Sequence, residues 1–251
     1  MSLIMAFRFL TAIPLPGKAT PSPEAFGKAT RYFPLVGLIL GLILAGFSLL
    51  FRIFLPLSLS AVLIVISSVL LTGGLHLDGL ADTSDGLGGH RSPEQRRQVM
   101  RDSRNGAFGI AAVVLVLLFK YVALVSLPTP LLAPALLYMT VMGRWSMVFS
   151  IFSFNYAHTE GLGSAFKLGT GRFNFIFATL ITLLLVAGMA PLSGLGSIVI
   201  WPLTCLVVTI AALYYKAKFA GLTGDNYGAI NEIAEIFVLL FFIVLAGLNI
   251  I

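Results

Sequence analysis

The 251-residue sequence predicts an all-α protein: a polytopic integral membrane helical bundle of about seven transmembrane spans, with residues 1–251 forming a single membrane-embedded catalytic domain. Three observations lead there. Hydrophobic residues make up 58% of the chain and charged residues only 10%, too apolar a balance for a soluble domain of this length. Apolar runs recur at close to the ~20 residues that a helix rising ~1.5 Å per residue needs to cross a ~30 Å hydrocarbon core. Lysine and arginine collect in alternate connections between those runs.

In chain order, MSLIMAFRFLTAIPLPG opens the sequence. A basic residue interrupts its apolar character, and it lacks a separate charged segment and a small-residue cleavage site. It therefore reads as a retained short helix lying in the interface. The spans follow at roughly Pro34–Ile53, Leu55–Leu71, Ala107–Leu127, Leu131–Phe152, Phe173–Leu192, Ser197–Tyr215 and Ile233–Ile251. Arg52, Phe54 and Pro56 between the first two imply a tight hairpin. Lys120 and Arg52 are read as structural cations whose heads snorkel outward. Cys205 lies within an apolar run and reads as a packed thiol.

Basic residues fix the orientation. Arg8, Lys18, Lys28 and Arg31 precede the first span, and Arg91, Arg96, Arg97, Arg101 and Arg104 follow the second. Lys167 and Arg172 follow the fourth, and Lys216 and Lys218 the sixth. The connections around Arg52, Ser126–Pro130 and Ser193–Gly196 are short and nearly uncharged. The N-terminus is thus expected inside and the C-terminus outside. All ten acidic residues fall in or beside the cytoplasmic segments, so the net charge of +6 reflects topology and gives no support to nucleic-acid binding.

The chemistry concentrates in GGLHLDGLADTSDGLGG, residues 73–89. Asp78, Asp82 and Asp85 repeat at i, i+4 and i+7, one stripe of a helix. Like charges that close repel, and a divalent cation held by oxygen ligands relieves them. Mg2+, which keeps waters and shares substrate phosphates, is the economical candidate. His76 stands one residue out of phase, as a group supporting the substrate or as a capped surface histidine. In the next segment Ser92, Pro93 and Gln95 make a capping box and Gly106 is the expected stop. There Arg97, Arg101 and Arg104 repeat the same spacing, a cationic stripe suited to a diphosphate or to anionic lipid.

Two further polar islands belong to the same face. One carries His158, Glu160 and Lys167; the other carries Asp225, Asn226, Asn231, Glu232 and Glu235. If the last helix begins early, Asp225 and Glu232 share a face, and carboxylates carried into a span point to a cavity or a partner. Arg144, inside the fourth span, is a partner for Glu232 or Glu235.

LHLDGLADTSDGLGG followed by MRDSRNGAFG resembles the cobalamin synthase family, the adenosylcobinamide-GDP ribazoletransferases. FRFLTAIPLP, RYFPLVGLILG and GLTGDNYGAINEIAE extend the resemblance along the chain. It implies a magnesium-using, multi-pass enzyme of the bacterial inner membrane with its active site facing the cytoplasm. The implied reaction joins adenosylcobinamide-GDP to α-ribazole or its 5′-phosphate and releases GMP.

The residues suit such chemistry. Asp78, Asp82, Asp85 and Asp225 are the candidate metal ligands, and Asp85 or Glu232 the candidate general base. Arg101 and Arg104 are the candidate leaving-group partners, with Arg97, His76, Asn226 and Asn231 as candidate substrate-binding groups. Two alternatives stand beside this reading. One is a CDP-alcohol phosphatidyltransferase, although Ala81 is followed by Asp82 where that pattern has arginine. The other is a cation-coupled transporter, although the acids crowd one face. The lipid bilayer is the expected surrounding, and a homo-oligomer stays open.

Overall fold

A computed structural model describes residues 2–15, 23–102, 104, 106–157 and 162–251. Lys18, His158 and Glu160 lie outside the described residues. Two short helices lead in, α1 (Ser2–Leu10) and α2 (Pro23–Thr30). The hairpin of α3 (Phe33–Phe54) and α4 (Leu57–Thr72) follows. Next come α5 (Leu75–Leu87), α6 (Pro93–Val99) and α7 (Ala107–Ser126). After a 3-10 turn at Thr129–Leu131 come α8 (Leu132–Ser153), α9 (Leu162–Gly169) and α10 (Arg172–Ser193). A second 3-10 turn at Leu195–Val199 leads to α11 (Ile200–Phe219) and α12 (Gly224–Gly247).

Among the described residues six helices are long and apolar enough to cross a membrane, and the bent pair α4–α5 makes a seventh crossing if counted as one span. The chain is therefore an all-α polytopic bundle. Helix α8 is its axis, with nearly every residue from Leu132 to Ile151 buried. In lipid, where helix association rests on packing and polar contacts, α8 is held partly by aromatic pairs such as Trp145–Trp201, whose centroids lie 4.2 Å apart. At the polar end, Phe166 of α9 packs on Phe9 of α1 at 4.7 Å and on Phe33 of α3 at 5.8 Å, so the short helices are anchored to the spans.

The α4–α5 break is what places the aspartates. Gly73 and Gly74 take φ of 62° and 73° in succession, a left-handed pair that side chains resist. Helix α5 consequently leaves α4 at 89°.

Three expectations need correction. The last helix starts at Gly224, not near Ile233. The cause is a capping box: Thr223 Oγ1 accepts from Asn226 N–H at 3.2 Å, and Asn226 Oδ1 accepts from Thr223 N–H at 3.0 Å. A hydropathy run cannot register polar first turns as helix. Second, α6 does form the Ser92–Gln95 capping box but ends at Val99, well short of Gly106. Beyond it the Asp102 carboxylate accepts from Arg104 N–H at 3.1 Å, a local turn that competes with helix. The three arginines therefore do not share one helical stripe. Third, Lys120 does not snorkel outward. It is 4% exposed and donates to Glu232 at 2.7 Å and to Glu235 at 2.5 Å.

Candidate active site

Where α5, α6 and the head of α12 meet, they enclose a cavity of about 380 Å³. Helices α5 and α12 contribute Asp78 and Asp225, and α6 with the turn beyond it contributes Arg97 and Arg101. His76 and Tyr156 add polar groups, and apolar walls come from α1, α8 and α9. The two acidic helices touch through Gly79: a side-chain carbon there would sit 2.7 Å from the Asp225 carbonyl oxygen. Glycine at 79 thus lets carboxylates from distant parts of the sequence share one cavity.

Asp78 lies in the first turn of α5 and Asp225 in the first turn of α12, where the helix dipole favours negative charge. Asp82, half-buried one turn beyond Asp78, feels the negative charges of Asp225, Asp78 and Asp85. Among the described residues no lysine or arginine pairs with Asp78, Asp82 or Asp225. Nor does any group of three or more histidine, cysteine, aspartate or glutamate side chains among them suffice to hold a metal unaided. This donor set does not form a complete cage. It does fit a hard cation that keeps waters and shares a substrate's phosphates, for which one or two carboxylates suffice.

Asp85 turns the other way. It is buried, its Oδ2 accepts from Gly106 N–H at 2.7 Å and its Oδ1 from Gly109 N–H at 2.9 Å, so it caps the start of α7. Arg97 lines the cavity while donating to the Phe219 carbonyl and to Glu94, the latter at 3.1 Å. Arg101 lines the cavity beside it. Arg104 is elsewhere: it grips Asp102 through Nε at 3.1 Å and Nη2 at 2.8 Å, with its side chain 87% exposed. That fork holds the Asp102 carboxyl down at about 2.

His76 is buried against the cavity, and its Nε2 has no hydrogen-bond partner among the described residues. Asn226 and Asn231 are fully buried and sit outside the cavity wall. Asn226 caps α12 and donates to Thr83 at 3.0 Å, while Asn231 donates to Glu235 at 3.1 Å. Glu232 is bound to Lys120, and Glu235 joins Lys120 to Arg144. The structure therefore gathers Asp78, Asp225, Arg97, Arg101 and His76 in one cavity with Asp82 adjoining. It places Asp85, Glu232, Asn226, Asn231 and Arg104 outside it.

Two contributors went unnoticed in the sequence. Arg96 looked like one more orientation charge. It is instead buried and donates to the carbonyls of Arg91, Gly86, Leu87 and Gly89 at 2.7–3.1 Å, clamping the end of α5 and the α5–α6 connection onto the helix that carries Arg97. Tyr156 reaches the cavity because the chain after α8 pairs with Leu222, an isolated bridge that no periodicity signals.

A family model described as cobalamin-5-phosphate synthase matches residues 2–243. A protein of Geotalea daltonii named adenosylcobinamide-GDP ribazoletransferase is 37% identical over 244 residues, 97% of each chain. Proteins of the same name from Roseiflexus sp. and Thermoanaerobacter sp. are 37% and 34% identical, covering 92% and 96% of this chain and 85% and 96% of their own lengths. No solved structure matches. With the match running nearly end to end, through both acidic helices and the arginine segment between them, the chain belongs to the cobalamin-5-phosphate synthase family.

Proposed function

We propose that the protein is a transferase of cobalamin nucleotide-loop assembly. It joins adenosylcobinamide-GDP to α-ribazole or α-ribazole 5′-phosphate, giving adenosylcobalamin or its 5′-phosphate and releasing GMP. The observation that carries this reading is the single cavity shared by Asp78, Asp225, Arg97 and Arg101. Attack of a ribazole hydroxyl on the phosphorus bearing the cobinamide arm drives negative charge towards the departing GMP. Positioning and charge neutralisation are then most of the catalysis.

Arg97, fixed by the Phe219 carbonyl and Glu94, and Arg101 beside it hold the diphosphate through paired planar donors. Asp78 and Asp225, with Asp82 adjoining, would hold Mg2+. Bound there, the ion would screen the diphosphate and the leaving phosphate. Asp85 and Glu232 are already engaged by backbone N–H groups and by Lys120. That leaves Asp78, Asp82 and Asp225 as the carboxylates at or beside the cavity that remain open to the attacking hydroxyl. A CDP-alcohol transferase or a cation-coupled transporter finds no support in the relatives.

Incubation of the purified protein in lipid with adenosylcobinamide-GDP tests this directly: GMP release that requires ribazole is expected, and CDP-activated lipid should not be consumed. Single-turnover release from arginine variants tests the assignment within the site. Arg101→Ala is expected to slow it by about 10²-fold, the scale of removing one transition-state donor. Arg104→Ala should stay within about twofold, because its exposed pair with Asp102 carries little energy. Equal losses in both variants would contradict the division.

We place the protein in a bacterial inner membrane with the cavity facing the cytoplasm, on the alternation of basic residues. Accessible tags inserted at Ser92 and Gly169 should label from the cytoplasmic side and one at Gly194 from the other side. Cytoplasmic labelling at Gly194 would overturn the orientation and the span count.

A further inference from the structure

A second recess lies against the same carboxylate. It has a volume of about 570 Å³ and runs along the α4–α5 elbow, lined by Thr72, Gly73, Gly74, Leu77, Ala81 and Val113 of α7. It also shares Phe9, Leu75 and Asp78 with the arginine-lined cavity. Asp78 thus borders both a chamber that holds two arginines and one that holds none.

An in-line phosphoryl transfer needs this kind of two-sided access, because the attacking and leaving oxygens stand on opposite sides of the phosphorus. The arginines mark the side on which the diphosphate and departing nucleotide lie, so the acceptor must come from the other. We infer that the elbow recess is the acceptor site, taking a flat, apolar aromatic base whose ribose hydroxyl reaches past Asp78 to the phosphorus. This rests on the transferase reading above.

Three features fit that occupant. Apart from Asp78 the recess presents no charged side chain, and it offers Leu75, Leu77, Ala81 and Val113 to an uncharged ring. The successive left-handed glycines leave the elbow without side chains, and a carbon added at Gly74 would meet nothing within 4 Å, so a planar group can lie against the backbone. The shared residues Phe9, Leu75 and Asp78 put the recess directly beside the arginine-lined cavity. In the reaction the hydroxyl oxygen forms the new P–O bond. The P–O bond to GMP breaks with its electron pair passing to GMP, and the hydroxyl proton ends in solvent.

Val113 lines only the recess, so Val113→Trp fills it without touching the arginine cavity. In purified protein reconstituted in lipid, the KM for α-ribazole is expected to rise about tenfold or more, the scale of a blocked apolar contact. Equilibrium binding of adenosylcobinamide-GDP should stay within about twofold. Thr72→Phe, intruding from the elbow side, should act in the same direction. Val114→Trp, at a position 56% exposed on the same helix, is the control for bulk facing lipid and should change neither value.

An unchanged acceptor KM in both recess variants would overturn the assignment, as would loss of donor affinity in place of acceptor affinity. Absence of GMP release by the unsubstituted protein would instead overturn the transferase reading. The two failures are therefore distinguishable.

Discussion

Asp78→Asn is expected to lower single-turnover GMP release by about 10²–10³-fold and to raise the magnesium concentration needed for half-maximal rate. The amide keeps the shape of the side chain and removes the charge from the one carboxylate that borders both chambers. Because Asp78 is exposed in the first turn of α5, the variant should fold and purify normally. Asp85→Asn provides the contrast. There the lost charge is a buried acceptor of two backbone N–H groups, so about 1–3 kcal/mol of stability should go first, with any fall in rate tracking loss of folded protein. An Asp78→Asn enzyme with a normal rate at limiting magnesium would remove this residue from the metal site.

Lys120→Met should be the most destabilising single change. Lys120 joins Glu232 and Glu235 deep in the spans, and Arg144 holds Glu235 from α8, so four charges on three helices balance one another. Removing Lys120 leaves Glu232 buried without its cation and Glu235 with Arg144 alone, a loss of about 3–5 kcal/mol when a buried pair is broken. Methionine keeps the volume and the straight chain, so the deficit comes from charge. Heating the detergent-purified protein and following the folded fraction by tryptophan fluorescence should show a large fall in the transition. The double variant Lys120→Met/Glu232→Gln should recover part of it, because one stranded charge is gone. A single variant as stable as the parent would mean that the network contributes no cohesion. The same network fixes α12 lengthwise against α7 and α8, which sets where Asp225 meets Gly79.

How much of this was legible in the sequence depended on which force was at work. Span ends such as Ala107 and Ser153 fall within a residue or two of the apolar runs, because the hydrocarbon core selects length directly. The three aspartates share a helix as their spacing requires. Asp225 joins them by an early helix start whose signal, Thr223 with Asn226, was present but masked by polarity. What periodicity could not show is direction. Asp78 and Asp85 lie on one stripe, yet the capping demand of α7 draws Asp85 away. Arg101 and Arg104 looked equivalent until the helix stopped at Val99 and Asp102 took Arg104. Lys120 read as a snorkelling cation because its partners lie 112 and 115 residues away.

In the proposed reaction one cavity brings carboxylates and arginines around a diphosphate to exchange GMP for a ribazole. Its most direct measurement is the product balance of the purified protein in lipid, given adenosylcobinamide-GDP, α-ribazole and magnesium. One GMP is expected for each adenosylcobalamin formed, with both products abolished by a chelator, restored by added magnesium and reduced alike in Asp78→Asn. GMP release without the joined product, or product formation at an undiminished rate in the presence of the chelator, would contradict it.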